Sequence, residues 1–77
     1  MERYTQKQLR DLVKSEAAQD ITYADNDKRY EIEKEEGYLS QVGYAAGVYG
    51  CNGMLFVGQN THKLYAITSR SQAIYIF

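Results

Sequence analysis

The single cysteine, Cys51, and the single histidine, His62, are the residue types from which a nucleophile and its base would be built, and such a pair works only within hydrogen-bond reach. The apolar run Met54 to Gly58 lies between them and reads as a strand. Five strand residues at about 3.3 Å each hold the two roughly 16 Å apart. Cys51 is therefore read as a small buried hydrophobe with an unactivated thiol, and His62 as a solvated loop residue. A zinc site needs more Cys or His than the chain contains. Asp25, Asp27 and Glu36 match the first, third and twelfth positions of a calcium loop, but Arg29 stands at the fifth and Tyr30 replaces the glycine that the sharp turn demands. These acids read as a turn and a solvated face, interleaved with Lys28, Arg29 and Lys34. With no qualified nucleophile, base or metal cluster, no catalytic residue, metal or cofactor is expected, and the chain is not read as an enzyme.

One loop keeps a chemical reading. In Thr68-Ser69-Arg70-Ser71 a guanidinium, several hydroxyls and turn amides could converge on an anion, with Asn52 at the same end of the sheet. Ordinary turn chemistry with an exposed arginine explains the same residues and is favoured.

The elements that would position these residues divide sharply by charge. All ten acidic residues lie within the first 36 positions, and the 41 that follow carry only Lys63, Arg70 and His62. Thr5 and Gln8 form a capping box, with Tyr4 and Leu9 as its hydrophobic staple. Leu9, Leu12, Val13 and Ala17 then recur at helical spacing, which predicts a helix from Gln6 to Ala18 with a narrow apolar stripe. Residues 20–36 admit two readings. Ile21, Tyr23, Tyr30 and Ile32 alternate around Asp25-Asn26-Asp27 as a hairpin would, whereas Lys28 to Glu36 is dense in helix formers and ends at Gly37. A short strand at 21–24 followed by a helix near 26–36 is favoured.

Asn52-Gly53 between two apolar runs is a strong hairpin signal, since a type I′ turn needs positive φ at both central positions. That turn pairs Cys51 with Met54 and Tyr49 with Phe56. The loop Gln59–His62 pairs Val57 with Leu64, and the loop Ser69–Gln72 pairs Ile67 with Ile74. The fold class is thus α+β: a helix packed on one face of a four-stranded antiparallel meander, near 42–51, 54–58, 63–68 and 73–77, in a single domain spanning 1–77.

This register places Val42, Tyr44, Val48, Leu55, Val57, Leu64, Ala66, Tyr75 and Phe77 on one face. Gly43, Ala45, Gly47, Cys51, Met54, Phe56, Tyr65, Ile67 and Ile74 fall on the other. Neither face is polar, as one would be if it met water. The helix is expected on the second face, where Gly43 and Gly47 allow close approach. The first face, with Tyr44, Val48, Val57, Tyr75 and Phe77, is the candidate contact surface, and the uncharged segment Ala73–Phe77 would invite strand addition at a sheet edge. Eight tyrosines in 77 residues suit an interface, although tyrosine also suits strands.

The block Gly43-Tyr44 through Val48-Tyr49-Gly50-Cys51-Asn52-Gly53, followed by Tyr65-Ala66-Ile67-Thr68-Ser69-Arg70, resembles uncharacterised small proteins of Gram-positive bacterial mobile elements of the conjugative-transposon type. The resemblance covers about the last half of the chain. It implies an accessory or regulatory role and assigns no activity to any residue.

The functional expectation is a small non-enzymatic protein-binding or regulatory module, working on a protein partner or as a homodimer. The alternative is a nucleic-acid or nucleotide binder using the Thr68–Ser71 loop and the aromatic strands. A net charge of −1 gives no general attraction to nucleic acid or acidic membranes. No run approaches the roughly 20 apolar residues of a membrane helix, and the charged N-terminus argues against a signal peptide, so the expected location is cytoplasmic.

Overall fold

A computed structural model describes residues 1–47 and 50–69. The first helix, α1 (Gln6–Lys14), begins as its caps dictate. The Gln8 backbone N–H donates to Thr5 Oγ1 at 3.1 Å and the Thr5 N–H to Gln8 Oε1 at 2.8 Å, which satisfies two of the amides that a helix start leaves open. Tyr4 and Leu9, the staple pair, share one core cluster. The helix stops four residues earlier than its pattern suggests because Glu16 takes a left-handed φ of 64°. The chain that follows is already extended, and Ala18 is buried in a strand rather than in a longer helix.

Three-residue strands flank α1: β1 (Glu2–Tyr4) before it and β2 (Ala18–Asp20) after it. The second helix, α2 (Asn26–Glu36), confirms the helical reading of 26–36 over the hairpin. Asp25 caps it by accepting from the Lys28 N–H at 2.8 Å, and Gly37 closes it at φ 74°, a conformation open to glycine without penalty. The strand expected at 21–24 is not formed: those residues are irregular and turn, and the strand before α2 is β2, at 18–20.

Three long-range strands follow: β3 (Leu39–Gly47), β4 (Gly50–Gly58) and β5 (Leu64–Ile67). They pair antiparallel in that order, and β1 and β2 add parallel to the outer edges of β3 and β5, giving the order β1-β3-β4-β5-β2. The α+β class holds. The sheet, however, is mixed and five-stranded rather than a four-stranded antiparallel meander. The edge of β5 expected to receive 73–77 is taken by β2, with Ala18 opposite Leu64 and Asp20 opposite Ala66. Residues 73–77 themselves lie outside the described residues. Both described edges are three residues long and carry Glu2, Arg3, Gln19 and Asp20, charged or polar side chains of the kind that discourage strand addition.

The hairpin register is the main correction. Asn52 and Gly53 sit inside β4, not at a turn, and Gly47 at the end of β3 lies opposite Gly50 at the start of β4. Two irregularities, between Gln41 and Gly43 and between Ala45 and Ala46, then set the faces. Gly43 pairs with Leu55 and Tyr44 with Met54. Over 43–45 this inverts the expected assignment, because a one-residue change in register moves every side chain to the opposite face. The β4–β5 pairs Val57–Leu64 and Phe56–Tyr65 are those expected.

Each face therefore has its own helix and core. On one, Leu9 of α1 packs with Ala18, Ala45, Leu55 and Ala66. On the other, Ile32 of α2 packs with Ile21, Met54, Tyr65 and Ile67. So α1 covers the Leu55 face rather than the Met54 face expected for it, and residues 20–36 supply the second cover.

Candidate functional site

The sheet end at which an anion site was expected is built, but around different chemistry. Gln6, at the start of α1, donates its side-chain amide to the Thr68 carbonyl at 2.7 Å and to the Asn52 carbonyl at 3.4 Å. Asn52 and Thr68 are thus brought to one end, as the sequence suggested. Yet Thr68 is already committed: its N–H donates to Thr22 Oγ1 at 2.9 Å, and its hydroxyl lies 3.2 Å from the same oxygen. Asp20 accepts from both the N–H and the hydroxyl of Thr22. A carboxylate beside these donors opposes a bound anion. Ser69 is half-buried and engaged within the fold; Arg70 and Ser71 lie outside the described residues.

The second cluster has no counterpart in the sequence reading. Glu36, read there as part of a solvated acidic face, is fully buried at the C-terminus of α2. It accepts from the Thr61 N–H at 2.8 Å, from the Thr61 hydroxyl, and from the Tyr65 hydroxyl at 2.7 Å. Gly58 makes the room: a Cβ there would lie 2.2 Å from the Glu36 carboxyl carbon. Burial alone would raise the Glu36 pKa, but the Thr61 and Tyr65 hydroxyls and the Thr61 and Asn60 amides outweigh it and hold the carboxyl below its ordinary range. Burial first, and then the Glu36 carboxylate, push the Tyr65 phenol up to about 12. The acid is fully served by neutral donors and ties α2 to the β4–β5 loop. It also lies one helix length from Asp25 and Asp27, about 15 Å at 1.5 Å per residue, so the calcium-loop spacing does not bring those carboxylates together.

This clamp has a signed pH dependence. A carboxyl whose folded pKa is depressed stabilises the fold fully above its ordinary value of 4.5 and loses that contribution as pH falls through the folded value. Tyr65 acts at the other limit: its contribution is complete below 10 and is lost as pH rises toward about 12. Glu36→Gln should lower the melting temperature at pH 7 and flatten the acid limb below pH 4.5. Circular-dichroism melts across pH for both proteins check this, and identical acid limbs would show that Glu36 carries no linkage.

The third feature is an apolar groove on the Met54 face. Helix α2 buries Met54, Tyr65 and Ile67 there but leaves Leu39, Tyr44 and Phe56 only half-buried and Val42 exposed. Between the helix and strands β3 and β4 lies a pocket of about 190 Å³, lined by Ile21, Ile32, Leu39 and Phe56 with Arg29 and Glu33 of α2. Of the expected contact residues, Tyr44 lies on this face and Val57 on the opposite one, since Tyr44 pairs with Met54 and Val57 alternates with it along β4. Val48, Tyr75 and Phe77 lie outside the described residues. Three tyrosines not singled out from the sequence as contact residues are more exposed than Tyr44: Tyr23, Tyr30 and Tyr38, in or beside α2.

Cys51 and His62 fall at opposite ends of β4, the former opposite Ala46 and the latter beyond Gly58 in the loop, where it takes φ 61°. Among the described residues no group of three or more His, Cys, Asp or Glu is placed to hold a metal ion, and no helix is long and apolar enough to cross a membrane. Comparison with protein-family models, with curated proteins and with solved structures gives no match.

Proposed function

We propose that this chain is a small non-enzymatic binding or regulatory module that engages a partner protein, or a second copy of itself, through the Tyr44 side of its sheet. One observation carries this reading. The Met54 face is only partly covered by α2, so that Leu39, Tyr44 and Phe56 stay half-exposed beside an open apolar groove. Tyrosine contributes large contact area with few rotatable bonds and a polar tip, and a half-covered strand face of this kind gains from a second layer. An accessory role of the sort implied by the resemblance to mobile-element proteins, and a cytoplasmic setting, belong to the same proposal. The separation of Cys51 from His62 and the commitment of Glu36 to three donors favour binding over catalysis.

Tyr44→Lys tests it. A lysine at the centre of a contact surface should weaken association at least tenfold, the scale of a lost aromatic anchor, and leave the helical circular-dichroism signal unchanged. Light scattering across a wide concentration range and comparative capture from the native host, wild type against Tyr44→Lys, read the two forms of association. Unchanged behaviour in both would reject this face as the contact surface.

A further inference from the structure

The pocket beside α2 combines features that a merely incomplete core would not. Its floor is apolar, from Ile21, Ile32, Leu39 and Phe56, while its mouth carries one cation, Arg29, and one anion, Glu33, a single helical turn apart. Residues at this spacing are neighbours on a helix surface and can pair. In α1, Lys7 and Asp11 at the same spacing close to 3.1 Å. Arg29 and Glu33 do not: among the described residues neither side chain makes an ion pair or a hydrogen bond, and both line the pocket instead. Arg29 is half-buried as well, where an unmatched guanidinium is costly and a carboxylate partner correspondingly favourable.

The volume narrows the occupant. About 190 Å³ is below the roughly 300–1,000 Å³ of sites for drug-sized ligands. It is comparable to the apolar cavity of about 150 Å³ that admits a single benzene ring. A branched aliphatic or single-ring side chain fits such a space.

We propose that this pocket binds a free α-amino acid with an apolar side chain, such as leucine or phenylalanine. The side chain enters the floor, the carboxylate pairs with Arg29, and the ammonium pairs with Glu33. Charge complementarity selects the zwitterion, because an apolar acid lacking the amine would leave Glu33 facing a second negative charge, and an amine lacking the acid would leave Arg29 unmatched. This site shares Leu39 and Phe56 with the proposed contact face but does not require a protein partner, since it needs only α2 and the strands beneath it.

The test is a titration of the full-length, isotope-labelled protein with L-phenylalanine and L-leucine, followed by amide NMR, with 3-phenylpropanoate and phenethylamine as probes lacking one charge each. The expected result is saturable shifts at Ile21, Ile32, Leu39 and Phe56, with each single-charge probe bound roughly tenfold more weakly or worse. Arg29→Gln and Glu33→Gln, at the rim of the pocket and checked for an unchanged melting temperature, should each weaken L-phenylalanine by a similar factor. Absence of saturable shifts at millimolar amino acid, shifts centred elsewhere, or equal binding of the single-charge probes would overturn the proposal. Glycine and L-lysine serve as side-chain controls, and equal binding of either would overturn it too.

Discussion

Leu9→Ala is expected to remove a large part of the stability of the fold. Leu9 is the only fully buried side chain of α1 and sits against Ala45, Leu55 and Ala66. Truncating such a leucine costs about 2–5 kcal/mol, depending on how far the cavity collapses. A chain of this length has only roughly 4–12 kcal/mol of total stability. Two of these partners, Ala45 and Ala66, have little side-chain bulk to move in, so the cost should fall in the upper part of that range. Urea titration checks the magnitude, and a double-mutant cycle checks the geometry. Leu9→Ala should couple to Leu55→Ala, which it touches across the core, and add independently with Met54→Ala, whose side chain lies on the other face. Coupling to Met54 and not to Leu55 would place α1 on the wrong face.

Gly53→Val should be nearly as damaging, for a reason the local sequence does not show. Were Gly53 at the corner of a type I′ turn, valine would be excluded by its positive φ. Among the described glycines only Gly37 has positive φ; Gly53 is an extended residue in β4. The obstacle is space. A Cβ at 53 would lie 2.6 Å from the Ile67 carbonyl oxygen and 2.7 Å from Leu9 Cδ1, and the first of these is backbone that cannot move without breaking the sheet. Overpacking of this kind costs about 1–3 kcal/mol, and a β-branched side chain adds further bulk against Leu9. The two explanations separate cleanly with Gly53→Asn. Asparagine tolerates a left-handed turn but not a crowded core, so the structure expects Gly53→Asn to be strongly destabilising, whereas near-wild-type unfolding would restore the turn at 52–53.

What the sequence disclosed, and what it did not, follows the range of the interactions involved. The start of α1 and the end of α2 were legible because Thr5, Gln8 and Gly37 act within a few residues of themselves, whereas Asp25, which caps α2, was read as part of a turn. The β4–β5 register was legible because one short loop fixes it. The β3–β4 register was not, because Asn52-Gly53 offers a local turn signal that loses to packing: Gly53 is needed where Leu9 crosses the sheet, and Asn52 where the pairing slips by one residue. The outer strands were missed since three residues are too few for any alternation to register, and their pairing is set by the crossover of α1. Glu36 was misread for the same reason. Its donors Thr61 and Tyr65 lie 25 and 29 residues away, and nothing in Glu33-Lys34-Glu35-Glu36 distinguishes the buried acid except its place four residues after Ile32. Of the expected contact residues, Tyr44 and Val57 were read onto one face; the slip separates them, carrying Tyr44 to the Met54 face while Val57 stays with Leu55 and Leu64.

The claim that the Tyr44 side of the sheet is a binding surface is tested most directly by amide NMR of the labelled protein, run from low micromolar to millimolar and again with the host protein it captures most strongly. The expected result is resonance shifts concentrated at Leu39, Gln41, Tyr44 and Phe56 in at least one of the two series, with the α1 face around Leu55 and Ala66 unmoved. Shifts confined to the α1 face, or a strict monomer whose captured protein leaves Tyr44 and Phe56 unmoved, would contradict it.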